Sequence, residues 1–271
     1  MPLLAIPFPH IDPVAIAVGP FAIRWYALSY VAGIVLGWWY SRRLAANAAL
    51  WGDTRRPTQT DMDDQIVWIA LGIVLGGRLG YVLFYNLASY LEHPAEILTV
   101  WRGGMSFHGG LIGAILAIVL FARARKLNAL AMLDVAATVA PIGLFTGRVA
   151  NFINGELWGR ASDVPWAMVF PGDRLQIPRH PSQLYQAGME GILLFTLLII
   201  LWCIPANRRR PGFFLGVMAA GYGVARIVGE FFREPDANLG FLFAGATMGQ
   251  LLSLPMLLVG AFLIWRSRRP A

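Results

Sequence analysis

The sequence predicts an all-α polytopic membrane protein, with seven transmembrane helices in a single integral membrane domain over residues 1–271. Its N-terminus is expected outside and its C-terminus in the cytoplasm. Three observations carry this reading. Hydrophobic residues make up 57% of the chain and charged residues 14%, whereas a soluble domain carries about 25% charged residues. Apolar runs approaching the roughly 20 residues that cross a bilayer recur at intervals too short for soluble domains to fit between them. The basic residues, finally, gather in alternate connections.

Taken in order, the runs predict spans near 20–41, 65–85, 107–123, 132–152, 184–204, 212–231 and 243–265, each bounded by charged or Pro/Gly-rich breaks. Arg42, Arg43, Arg55 and Arg56 follow the first span. Arg123, Arg125 and Lys126 follow the third, Arg208, Arg209 and Arg210 the fifth, and Arg266, Arg268 and Arg269 the seventh. The opposite connections hold only Arg102, Arg160, Arg174, Arg179 and Arg233, with Arg24 at the start of the first span. Cytoplasmic loops collect Lys and Arg, which fixes the direction and makes the segments near 86–106, 153–183 and 232–242 periplasmic.

The ends and the rarer residues exclude several classes. Pro2, Pro7, Pro9 and Pro13 precede the first basic residue, Arg24, so the start lacks the charged region and cleavage site of a secretory signal and is expected to remain on the mature protein. The net charge of +7 is dispersed in short clusters rather than on one solvated face, which argues against a nucleic-acid partner. A single cysteine, Cys203, permits no intramolecular disulfide and no thiolate cluster. His10, His93 and His180 have no metal-ligand spacing and read as surface or capping residues; no metal site is expected.

Three arginines fall inside spans: Arg78, Arg148 and Arg226. A lone arginine near a helix end ordinarily snorkels to the headgroups. These three each lie about 13 to 16 residues past the inner end of an outward-running helix, which at 1.5 Å per residue puts them in the outer half of the bilayer. Glu230, one turn after Arg226, and Glu156, beyond Arg148, are anionic partners, but two acids do not neutralise three arginines. Guanidinium groups suit bidentate contact with phosphate, so a phosphate-bearing ligand of the outer leaflet complements the remainder. The segment from Gly147 to Arg160, GRVANFINGELWGR, begins in an apolar helix and ends in a loop. Arg148 and Asn151 share a helix face there, and Gly155 and Gly159 permit a turn that returns Glu156 toward them. A purely structural hydrogen-bonded plug is the alternative.

That segment resembles the signature of the prolipoprotein diacylglyceryl transferase family. In the family's order the chain also carries RWYALSY from Arg24, GGRLGYVLFYN from Gly76, GGMSFHGGLIG from Gly103, RHPSQLY from Arg179, GYGVARIVGEFFREPD from Gly221 and MGQLLSLPM from Met248. The resemblance covers nearly the whole chain. Ala27 stands where the family has glycine, Gln186 stands where glutamate is usual, and the outside segment from Arg160 to Arg179 is shorter than in some relatives.

The resemblance implies a bacterial inner-membrane transferase with its active site toward the periplasmic leaflet. Its substrates would be phosphatidylglycerol and prolipoprotein signal peptides bearing a lipobox cysteine. The sn-1,2-diacylglyceryl unit would pass to the cysteine thiol, giving a thioether and glycerol 1-phosphate, with no cofactor. Arg148 and Arg226 match the family's essential arginines and are assigned to the phosphate, where fixed cations stabilise charge developing on the departing oxygen. Glu156 and Glu230 are expected to orient them, Asn151 to bond the headgroup, and Tyr26 with Gly159 to shape the pocket. Arg78 reads as a structural or access-path residue. His108 is suited to accept the thiol proton near neutral pH or, equally, to hold the headgroup. Membrane arginines beside glycine-broken helices also mark an anion or lipid transporter, but that reading needs an inverted repeat and charges near the midplane.

Overall fold

The structure is a computed structural model in which residues 6–9, 11–19, 21–52, 55–235, 240–242 and 245–268 are described. His10, Arg269 and residues 243 and 244, the start of the seventh expected span, lie outside them. Helices occupy all seven apolar runs: α1 (Trp25–Ala46), α2 (Gln59–Tyr85), the short α3 (Leu87–Glu92), α4 (Phe107–Ala124), α5 (Ala129–Ile153), then α6 (Ser182–Gln186) running through a π-helical segment Ala187–Leu193 into α7 (Leu194–Trp202), the short α8 (Pro205–Arg208), α9 (Phe213–Glu230) and α10 (Met248–Arg266).

Among the described residues six helices are long and apolar enough to cross a membrane: Gln59–Tyr85, Phe107–Ala124, Ala129–Ile153, Ser182–Trp202, Phe213–Glu230 and Met248–Arg266. Helix α1 is not among them. Its 22 residues include Trp25, Tyr26, Tyr30, Trp38, Trp39 and Tyr40, whose polar ring atoms suit the headgroup level better than hydrocarbon. The fold is mostly helical, but not wholly so. Strands β1 (Ile6–Pro7), β4 (Met168–Val169) and β5 (Pro178–Arg179) form a sheet in the order β1-β4-β5, and β2 (Val14–Val18) pairs antiparallel with β3 (Phe21–Arg24). The expected first span therefore starts too early: residues 21–24 satisfy their backbone on β2, and the helix begins at Trp25.

The chain forms two compact units. Residues 41–136 are built on α2 against α4. Gly72, Gly76 and Gly80 on α2 meet Gly109 and Gly113 on α4, and an added Cβ at Gly72 would lie 2.5 Å from the Gly113 carbonyl oxygen. Backbones can come this close only across residues without side chains, the packing that replaces hydrophobic drive between helices in lipid. Thr58 and Asp61 cap α2 reciprocally, and Ser106 Oγ caps α4 by accepting from Gly109 N–H. Ion pairs from Arg42 to Asp63 and from Arg125 to Asp64 tie the charged ends.

Residues 1–40 and 137–271 form the other unit. On its helices, Gly216 and Ala220 of α9 face Gly260 of α10, and Gly33 of α1 fits against Gly143 and Thr146 of α5. Trp202 donates to Thr138 Oγ1 at 2.7 Å and stacks on Phe214 with ring centroids 4.3 Å apart. Beyond the helices Phe8, Phe152 and Phe170 form a small core with Trp158 and Met168 against it. This core seats the three-stranded sheet and the loop 154–181, from which several site residues come.

Candidate active site

The site lies within the unit of residues 1–40 and 137–271, and its centre is Glu190. This carboxylate is fully buried. Its Oε2 accepts from Arg148 Nε and faces Arg148 Nη2, both at 3.0 Å, and its Oε1 lies 3.8 Å from Arg226 Nη1. Arg226 Nη2 is 2.7 Å from Glu230 Oε1, one helical turn on. Glu230 also takes Arg233 Nη1 at 3.1 Å and the Thr247 hydroxyl at 2.6 Å. Three guanidinium groups thus share two carboxylates, leaving one positive charge in a region where the side chains of Arg148 and Arg226 are only 16% and 12% exposed. Tyr222, one turn before Arg226, lies within electrostatic reach of Arg148, Arg226 and Glu190.

Local sequence explains the placement. Glu190 sits in the π-helical segment, where a wide turn carries it against α5. Gly191 permits the approach, for a Cβ there would lie 2.6 Å from Phe145 Cβ, three residues before Arg148. Gly249, in the first turn of α10, makes room for Glu230: an added Cβ would meet its carboxylate at 2.6 Å. Thr247 caps α10 in a box with Gln250, which aims its hydroxyl at Glu230.

The structure brings Arg226 and Glu230 together as expected, but it corrects the partner of Arg148. Glu156 does not bond an arginine. Its Oε1 accepts from Asn151 Nδ2 at 2.8 Å and from Asn154 at 3.5 Å, because Gly155 and Leu157, both at positive φ, fold the segment back onto the end of α5. The Asn151 amide expected on the headgroup is therefore engaged with Glu156. Gln183 Nε2 donates to the Glu156 carbonyl at 2.6 Å and Ser182 to the Leu157 carbonyl at 2.8 Å, so the turn is pinned from α6.

Gly159 is a crossing point. Its N–H donates to the His180 carbonyl at 2.9 Å, it bridges Arg233, and a Cβ would fall 2.7 Å from His180 Cβ. Arg160 donates to the carbonyls of Arg233 and Glu230, both at 3.0 Å, and lies over the Phe241 ring. His180, expected as a surface or capping residue, is partly exposed: its Nδ1 is 3.1 Å from the Tyr185 hydroxyl and its ring packs edge-on against Phe232. Burial pushes its pKa below the ordinary value. Behind it Arg179 grips Asp173 through Nε at 2.7 Å and Nη2 at 3.2 Å, and this guanidinium holds the Asp173 carboxyl below the usual carboxylate range.

Tyr26, in the first turn of α1, places its hydroxyl 3.3 Å from that of Tyr30, and Tyr30 lies within electrostatic reach of Glu156. Cys203 is exposed and caps the end of α7. His108 and Arg78 belong to the unit of residues 41–136. His108 is in the first turn of α4, its ring edge-on to Phe107 at 5.7 Å. Arg78 is buried and donates to the carbonyls of Ile97 at 2.8 Å, Gly103 at 2.7 Å, Gly104 at 3.2 Å and Glu96 at 2.5 Å, with the Tyr90 ring beside it. Among the described residues no group of three or more His, Cys, Asp or Glu side chains is placed to hold a metal ion.

Comparison with known proteins gives this site its context. The profile of the family described as prolipoprotein diacylglyceryl transferase matches residues 13–266. The phosphatidylglycerol–prolipoprotein diacylglyceryl transferase of Bradyrhizobium diazoefficiens is 58% identical over 266 residues, covering 97% of this chain and 94% of the relative. The enzyme of the same name from Azospirillum brasilense is 59% identical over 268 residues, covering 98% of each, and that of Rhodopseudomonas palustris is 56% identical over 276. The chain belongs to the prolipoprotein diacylglyceryl transferase family.

Proposed function

We propose that this chain transfers the diacylglyceryl group of phosphatidylglycerol to the lipobox cysteine of prolipoproteins. The observation that carries the reading is the buried pairing of Arg148 and Arg226 on one carboxylate, Glu190, with a net positive charge left over, in a chain whose relatives carry that activity in their names. The substrate sulfur attacks the terminal glyceryl carbon. The C–S bond forms as the C–O bond to phosphorus breaks, and the departing phosphate becomes a monoester with additional negative charge. Arg148 and Arg226 stabilise that charge more than the ground state, which is the condition for catalysis. Glu190 and Glu230 hold the two forks in place, and the Asn151–Glu156 pair with Gly159 and Tyr26 shapes the surrounding wall. His108, in the other unit, is the histidine suited to take the thiol proton or to hold the headgroup, and the proton finally passes to the released phosphate or to water.

The chain on this reading sits in the bacterial inner membrane with seven spans, N-terminus outside, C-terminus cytoplasmic and the site toward the periplasmic leaflet. A reporter active only in the periplasm then works when fused after residue 95 or 170 and fails after residue 52 or 208. The transfer itself is tested with purified protein, phosphatidylglycerol and a lipobox peptide, with mass detection of the thioether. A peptide mass that stays unchanged while the protein moves an anion across vesicles would instead establish a transporter.

A further inference from the structure

One feature of the helix Ser182–Trp202 is not used by the phosphate chemistry. Four side-chain polar atoms in this unit are fully buried and make no hydrogen bond: Gln183 Oε1, Gln186 Nε2, Glu190 Oε1 and Arg226 Nη1. Folded proteins keep few such atoms, and a set of them marks a place built for a partner. Gln183 and Gln186 are three residues apart in α6 and Glu190 follows in the π-helical segment, so the three lie on successive turns of one continuous helix. All three are at most 1% exposed. The first two are seated by neighbours: Gln183 through its Nε2 on the Glu156 carbonyl, and Gln186 by Gly229, whose added Cβ would fall 3.4 Å from Gln186 Cγ and 3.6 Å from Nε2. Gly229 is three residues beyond Arg226 on α9, so the row runs beside the arginine.

The chemistry of the set is specific. It offers two donors, Arg226 Nη1 and Gln186 Nε2, and two acceptors, Glu190 Oε1 and Gln183 Oε1. A phosphate oxygen can take a donor but gives nothing to an acceptor. A hydroxyl does both. We propose that Gln183, Gln186 and Glu190 are a polyol-reading row that binds the hydroxyls of a phosphoglycerol headgroup while Arg226 holds its phosphate. One hydroxyl donates to Glu190 Oε1 and accepts from Gln186 Nε2; the other donates to Gln183 Oε1. This inference rests on the transferase reading and adds the means by which the enzyme recognises the leaving group.

The same phosphoglycerol chemistry is present in the intact lipid and in the released product, and the test separates them. Transfer is measured from phosphatidylglycerol and from phosphatidylpropanol, which has the same phosphodiester without hydroxyls. Inhibition is measured with glycerol 1-phosphate and with propyl phosphate. Wild-type protein should prefer the glycerol lipid, and glycerol 1-phosphate should inhibit more strongly than propyl phosphate. Gln186→Leu and Gln186→Met should each reduce the lipid preference about tenfold, the contribution of one or two hydrogen bonds, chiefly by slowing the glycerol lipid. As a readout that needs no turnover, short-chain phosphatidylglycerol should raise the thermal midpoint of the wild type more than short-chain phosphatidylpropanol, and of Gln186→Met equally with it. A wild type that uses both lipids alike, or variants that slow both lipids by the same factor, would overturn the row as a polyol site. A wild type inactive on every lipid, whose thermal midpoint no lipid shifts, would overturn the transferase reading and the row with it. Selectivity confined to the soluble phosphates would overturn recognition of the lipid.

Discussion

The protein buries arginine in two contrasting ways. In residues 41–136 Arg78 spends its N–H groups on the backbone carbonyls of Glu96, Ile97, Gly103 and Gly104. In the other unit Arg148 and Arg226 share Glu190, and Arg226 keeps one nitrogen without a hydrogen bond. Carbonyl dipoles from a loop fix the loop and use up the guanidinium; a carboxylate shared between two guanidinium groups aims them and leaves an N–H to give. A buried arginine is therefore read by what its nitrogens already hold, and the first arrangement is a rivet while the second is a site.

The largest effect should come from breaking the second arrangement. Arg148→Ala and Arg226→Ala should each lower transfer by about 10²- to 10³-fold, the contribution of one preorganised donor. Lysine should restore only part of it, lacking the planar fork. Near-normal turnover by both alanine variants at normal membrane abundance would remove the contrast. Arg78→Ala should act on stability instead. It leaves four carbonyls of the loop they belong to without their buried donor, a loss on the order of 3 kcal/mol, read as a lower thermal midpoint in detergent. The fraction that remains folded should keep its KM.

Acid separates these from a third arginine, outside the spans. Asp173 is held below its ordinary pKa by Arg179, so its contribution is complete above the unfolded carboxylate value and is lost as pH falls through the lower folded value. His180, also depressed, contributes while neutral, and that contribution begins to fade as pH falls below about 6.5. Loop 160–179 should therefore gain protease sensitivity in two stages, the first abolished by His180→Phe and the second by Asp173→Asn. The loop held by Arg78 should lack both stages, since carbonyls do not titrate. The smallest effect is expected at Cys203, which is exposed at the end of α7 and touches neither arrangement. Cys203→Ala should leave transfer within twofold of wild type, measured on the same lipobox peptide, because the reacting sulfur belongs to the substrate. Lipid trapped on Cys203 would instead reveal a covalent enzyme intermediate.

The helices were readable because hydropathy is a property of each segment by itself. The strands were not, since Ile6–Pro7 and Met168–Val169 pair across more than 150 residues and two residues carry no pattern. Arg148, Arg226 and Glu230 stood out as charges within or at the end of apolar runs. Glu190 carries the same signal as the lone acid of the run 184–204. Proximity along the chain does not single it out, because Arg148 finds its carboxylate 42 residues away. Glu156, nearer along the chain, is turned aside onto Asn151 by Gly155 and Leu157.

The π-helical segment Ala187–Leu193 lets the helix that carries Glu190 hold one extra residue without losing its phase. A π turn is an α-helix holding one residue more than its pitch requires. Removing a residue such as Gly188, whose added Cβ would meet nothing within 4 Å, would let the segment relax to ordinary α-geometry with little loss of packing there. It would leave the turns on either side nearly in phase, because the residue removed is the one the wide turn had absorbed. The helix would survive such a deletion, while Glu190 would lose the bulge that carries it against α5.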